Sequence, residues 1–175
     1  MPKLTEEMIE AIKYSTTMEI NGRSFYEEAA KITHNEYGKK VFEKLAKDEI
    51  EHIKKFGEIF TSALDGEEWK KYLNQEENNK ESVLDKLKAR IEKQGKEERA
   101  SDLEALRIGM ELERDSIDYY KKLVDNTEDQ TVKQVFSKII EEEKYHYDLL
   151  QAEYDQLTGS GFWFDIAEFR MDGKF

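Results

Sequence analysis

The chain has 175 residues, 39% of them charged, a formal net charge of −12 and no cysteine. That length suits one domain with a sizeable core, and the lack of thiols excludes disulfides, thiolate metal sites and cysteine-ligated iron–sulfur clusters. The acidic balance opposes nucleic acid and anionic membranes; with no secretory signal and no run of transmembrane length, a soluble cytoplasmic protein is expected.

One proline, few glycines and abundant Glu, Lys, Leu and Ala predict an all-α fold. Thr5 reads as an N-cap with Glu6 and Glu7 in the first turn, where carboxylates favour the helix dipole. Ile9, Ile12, Thr16, Glu19, Tyr26 and Ala30 follow helical spacing to about Thr33. His34-Asn35 marks a turn, with Asn35 as cap and His34 as a surface residue. A second helix carries Val41, Phe42, Leu45, Glu49, His52, Ile53, Phe56 and Phe60 inward and ends near Asp65-Gly66.

Residues 66–100 are polar, with two short helical patterns over 67–73 and 82–94, and read as a crossover between the ends of a bundle. Ser101 and Glu104 form a capping-box pattern opening a third helix. Its inner face carries Leu103, Leu106, Met110, Glu113, Ile117, Tyr120 and Val124. After a turn at 126–130, a fourth helix brings in Val135, Phe136, Ile139, Glu143, His146 and Leu150 and fades near Thr158-Gly159. The tail, 159–175, is dense in aromatics (Phe162, Trp163, Phe164, Phe169, Phe175) and is expected to pack on the bundle or on a partner subunit.

The chain repeats itself. An offset of 94 residues carries Ala11 onto Ala105, Glu19 onto Glu113, Phe25-Tyr26 onto Tyr119-Tyr120, Phe42 onto Phe136, Glu49 onto Glu143 and His52 onto His146. Each copy is a helical hairpin with one Glu on its first helix and Glu-x-x-His on its second. Residues i and i+3 share one helix face, so each Glu and His reach one point. A single Glu-x-x-His is common and proves little, but two in register, each facing a matching Glu, are specific. Four buried carboxylates without partners would cost several kcal/mol each or take up protons; two divalent cations neutralise them. Glu from two helices plus Glu-x-x-His from two others is the ferritin-like di-metal pattern.

Symmetry predicts that Glu49 and Glu143 bridge the metals, Glu19 and Glu113 are terminal, and His52 and His146 serve one metal each. Such ligation suits iron or manganese, with zinc as a substitute. Asp48 and Glu142 are candidates to accept from the non-ligating histidine nitrogens, against a reading as solvent-facing acids. Tyr26 and Tyr120 are candidates to donate to ligand carboxylates or supply an electron, against simple packing. Gly22 and Ser116 are small, leaving room for an oxidant or for close helix contact.

These stretches, AIKYSTTMEINGRSFYEEAA, FEKLAKDEIEHIKKF, ALRIGMELERDSIDYYKKL and FSKIIEEEKYHYDLL, together with the closing GFWFDIAEFRMDGK, resemble the rubrerythrin branch of the ferritin-like superfamily along nearly the whole chain. The resemblance implies a single domain over 1–175 with two iron ions, acting as a peroxidase or O2 reductase fed by a separate electron donor such as a rubredoxin. Two departures stand out. No cysteine is present for a rubredoxin-type iron, and Met110 and Ser116 flank Glu113 where the family carries an additional glutamate used in redox-linked iron movement. The alternatives are ferroxidase or iron handling, and a non-enzymatic metal-stabilised interaction protein. A homodimer is expected, with exchange of hairpins between subunits permitted by the long crossover.

Overall fold

A computed structural model describes residues 4–63, 85, 88–90, 92–93 and 97–159, with the side chains of 60–63 outside the description. Four long helices dominate: α1 (Glu6–Ile32), α2 (Glu36–Ala63), α3 (Glu98–Asn126) and α4 (Gln130–Thr158). At about 1.5 Å rise per residue each is roughly 40 Å long. None of the described helices is long and apolar enough to cross a membrane.

Local chemistry sets most of the boundaries. Thr5 caps α1, its Oγ1 accepting from the Met8 N–H at 3.2 Å, and Asp129 caps α4 by accepting from Val132 N–H at 3.0 Å. Asn35 Oδ1 accepts from Gly38 N–H at 2.9 Å, so the expected cap of α2 is present. Gly159 ends α4 with φ 67°, a left-handed conformation that suits glycine. The capping box at Ser101 and Glu104 does not form. The helix-forming residues Glu98, Arg99 and Ala100 start α3 a turn earlier, with Glu97 at the N-cap. Glu104 instead pairs with Arg90 at 2.5 Å and Arg107 at 3.1 Å.

Each hairpin packs on itself, α1 on α2 and α3 on α4, and the hairpins meet along α1–α3 and α2–α4. Tyr26 near the end of α1 reaches Gly109 near the start of α3, while Ala11 near the start of α1 meets Tyr119. Neighbouring helices are therefore antiparallel, and α2 and α3, on a diagonal, run the same way. A chain leaving α2 must return the full length of the bundle to begin α3, which accounts for the crossover. Most of that segment, Gly66 and the aromatic tail lie outside the described residues.

The interior has three layers. One apolar cluster is built on Phe25, Tyr26, Phe42, Leu45, Leu106 and Leu150. A second is built on Ile12, Phe56, Tyr120, Phe136 and Ile139. Between them lies a polar layer containing Glu19, Glu49, His52, Glu113, Glu143 and His146. Of the residues expected to face inward, Ile9, Leu103, Ile117, Val124 and Val135 are only half-buried, because they lie at the margins of the apolar stripe. Phe136 is fully buried, stacked on Phe56 at 4.9 Å and edge-on to Tyr120 at 5.3 Å. Phe136→Ala is expected to lower the unfolding free energy by about 3–5 kcal/mol, read as a lower urea midpoint at unchanged slope.

Candidate metal centre

The polar layer draws one segment from each helix. Helical periodicity places Glu19, Glu113 and the two Glu-x-x-His pairs on the inner stripe, flanked by residues that fill the apolar layers. All six expected ligand residues converge. Glu19, Glu49, His52 and Glu143 form one group able to hold a metal ion, and Glu49, Glu113, Glu143 and His146 form another; the ligand atoms within each lie within 4.8 Å of one another. Glu49 and Glu143 belong to both groups.

The histidines are oriented from outside the cluster. His52 Nε2 lies 2.7 Å from Glu142 Oε2, and His146 Nε2 lies 3.0 Å from Asp48 Oδ2. Both acids reach across between α2 and α4, as one of their two sequence readings had them. The network assigns the ring proton to Nε2 in each neutral imidazole, leaving the Nδ1 lone pair facing inward. Lysines anchor the acids in turn: Lys44 Nζ contacts Asp48 at 2.6 Å and Lys55 Nζ contacts Glu142 at 3.0 Å. Hydrogen bonds from His52 and Lys55 hold the Glu142 carboxyl down at about 2 despite partial burial. Burial opposes the ionised form of Asp48, but His146 and Lys44 outweigh it and lower its pKa.

The tyrosines work across the hairpin interface. Tyr26 on α1 donates to Glu113 on α3, and Tyr120 on α3 donates to Glu19 on α1. Burial, followed by the facing Glu113 or Glu19 charge, pushes each phenol well above its ordinary pKa, so each remains a donor. Tyr120→Phe is expected to leave metal stoichiometry unchanged while costing about 1.5–3 kcal/mol of stability, measured by metal analysis beside denaturation.

The donor set fits divalent cations. His52 Nδ1 lies 3.2 Å from Glu19 Oε2, 3.3 Å from Glu49 Oε2 and 3.2 Å from Glu143 Oε1. One ring nitrogen cannot satisfy three carboxylate oxygens, and Glu49 Oε2 and Glu143 Oε1 have no hydrogen-bond partner. His146 Nδ1 lies 3.0, 3.6 and 3.8 Å from Glu143, Glu113 and Glu49. Without cations the cluster turns to protons. Burial, then the charges of Glu19 and Glu143, push the Glu49 carboxyl well up; burial and Glu143 do the same to Glu113. Burial likewise opposes ionisation of Glu143, yet the adjacent Glu113, His146 and His52 outweigh it and keep it well below the usual carboxylate range. Burial disfavours charge on His52 and His146, but the surrounding carboxylates outweigh it and raise both well above the ordinary imidazole value. A cation relieves all of these conflicts at once.

Gly22 is buried against Glu49, and a Cβ there would meet its carboxylate at 3.7 Å, an ordinary contact. Ser116 is half-buried. Met110, at 9% exposure, belongs to the apolar cluster and offers no seventh carboxylate. His34 is exposed as expected, but its ring and backbone are held by Asp102, a contact the sequence did not signal. Lys44 and Lys55 were also unsignalled; spacing to Asp48 at i+4 would have found the first.

No curated protein and no solved structure matches the chain. The Rubrerythrin family model matches residues 10–154, a span that contains the polar layer and the buried core residues of both apolar layers that enclose it. The chain belongs to the rubrerythrin family, and its buried Glu/His layer is a candidate metal centre.

Proposed function

We propose that the protein is a non-haem di-iron oxidoreductase that reduces hydrogen peroxide or O2 with electrons from a separate donor. The observation that carries this reading is the layer of four carboxylates and two inward-facing imidazoles, with orphaned oxygens on the two glutamates shared by both groups. Glu19 and His52 would hold one ion, Glu113 and His146 the other, and Glu49 and Glu143 both. Two ferrous ions held there would supply one electron each to an O–O bond; manganese or zinc would fit the same donors, zinc without redox chemistry.

The chain's own residues set the conditions for that chemistry. Asp48 and Glu142 fix the histidine tautomer and ring orientation. Tyr26 and Tyr120 hold protons 87 and 101 residues away in sequence from the glutamates they touch, at the oxygens of Glu113 and Glu19. The apolar layers exclude water from either side. The electrons are assigned to a partner with its own redox group, such as a rubredoxin. The proposal includes a homodimer, checked by light scattering of the full chain.

The test is stopped-flow mixing of the anaerobic Fe(II)-loaded protein with hydrogen peroxide or O2. Faster iron oxidation by peroxide, with the iron retained and re-reduced over several turnovers, supports the proposal. Release of ferric product makes the protein a ferroxidase, and indifference to both oxidants leaves a metal-stabilised interaction protein.

A further inference from the structure

The internal repeat provides a control for every buried position, and one end of the bundle departs from it. The 94-residue offset carries Met8 onto Asp102, Gly38 onto Val132 and Ile59 onto Glu153. At one end these places hold Met8, Ile59 and Val132, all part of an apolar cluster. At the other they hold Asp102, Glu153 and Gly38, with Asp102 and Glu153 only 4% and 7% exposed. The fold accepts apolar residues here, so two buried acids are not a requirement of packing.

Asp102, in the first turns of α3, binds the α1–α2 turn. Its carboxylate accepts from His34 N–H at 3.1 Å and Asn35 N–H at 2.9 Å, and faces His34 Nδ1 at 3.1 Å. Glu153 on α4 packs against the start of α2, where a Cβ on Gly38 would lie 3.4 Å from Glu153 Oε1 and 3.1 Å from Thr33 Cγ2. Glu153 Oε1 has no hydrogen-bond partner.

We propose that Asp102 and Glu153 form a proton-dependent latch that fastens the α1–α2 turn to α3 and α4 while Glu153 is protonated and loosens when Glu153 ionises. Burial, then the neighbouring Asp102 charge, push the Glu153 carboxyl up to about 7, while the Gly38 backbone N–H pulls the other way. Lys39 and Lys40, next to Gly38 on α2, are exposed, with Lys40 over the Tyr37 ring; Glu97 is exposed, and Asp155 of α4 accepts from Gln151. His34 faces Asp102 and lies 3.9 Å from Glu98, and Lys31 of α1 pairs with Glu28. Arg99 of α3 donates to the Leu157 carbonyl, Arg107 binds Glu104 and Tyr154, and Glu36 of α2 is exposed. No Lys or Arg pairs with Glu153 among the described residues. The latch is separate from the metal layer, since Glu153 is two helical turns, about 10 Å, beyond His146.

An acid whose folded pKa is raised binds more protons closed than open, so closure is strongest below the ordinary carboxylate value, weakens as pH rises to about 7, and is constant above. The test is amide hydrogen exchange of the full metal-loaded chain, corrected for intrinsic rates. Protection of the His34 and Asn35 amides is expected to fall at least about tenfold between pH 5 and 7.5 and then level off. In Glu153→Gln, whose neutral amide mimics the protonated acid, that fall is absent; His34 is present in both proteins, so the difference between them reads Glu153 alone. The same pH course in both proteins overturns the latch. Should the variant not fold, the Glu153 carboxyl carbon is titrated by NMR in the wild type: a midpoint near 7 supports the latch, and one in the ordinary carboxylate range overturns it.

Discussion

Glu49→Gln is expected to weaken the binding of both metal ions at least about a hundredfold, whereas Glu19→Gln weakens only one. Glu49 belongs to both ligand groups and Glu19 to one, and leaving buried charge uncompensated costs about 3–5 kcal/mol, or roughly two to three and a half decades of affinity. Anaerobic titration with Fe(II) or Co(II), followed by metal analysis, reads the stoichiometry directly. The metal-free variant also separates loss of ligand from loss of fold. Burial and neighbouring carboxylates raise the Glu49 carboxyl in the metal-free protein, so its ionised form destabilises the fold above the ordinary carboxylate range. Glu49→Gln removes that penalty, and the metal-free variant should melt at or above metal-free wild type near pH 7. Two tightly bound ions in Glu49→Gln would refute the shared-ligand reading.

Removing metal is expected to lower the melting temperature by roughly 15–30 °C at pH 8, with the gap closing toward pH 5. Two ions at a thousandfold excess over Kd contribute about 4 kcal/mol each, and 1 kcal/mol is about 2–4 °C for a chain of this size. The pH dependence comes from the histidines together with the raised carboxyls of Glu49 and Glu113. In the metal-free protein the carboxylates raise His52 and His146, so their stabilisation is full below the ordinary imidazole value and is lost as pH rises through the raised value. Glu143 is held low, so its contribution is present above the ordinary carboxylate value and is lost on acidification. Glu49 and Glu113 are held up, so their contribution fades as pH rises above the ordinary carboxylate value, and the metal-free centre weakens toward pH 8. Ligation requires both imidazoles neutral, so binding releases protons and strengthens as pH rises. Calorimetry in two buffers of different ionisation enthalpy should show that release, and equal melting temperatures with and without metal at pH 8 would rule out a metal-supported core.

Much of this was legible in the residue order. A 3-4 apolar rhythm interrupted by Glu at 19 and 113, and Glu-x-x-His repeated at one offset, located the four helices and the six residues of the polar layer. Periodicity reports which face a side chain shares, and here shared faces were enough. The capping box at Ser101 misled because a matching local pattern cannot stop a helix when good helix formers precede it.

The helices, the repeat and the composition of the centre follow from residue order, because each depends on contacts within one helix or between adjacent ones. How the two hairpins dock does not. That choice sends Tyr26 to Glu113 and Tyr120 to Glu19, seats His52 on Glu142 and His146 on Asp48, and closes Asp102 over the first turn. Those partners stand 67 to 101 residues apart. A hydrogen bond over such a span is set by how rigid helices dock, which no local pattern in the chain encodes.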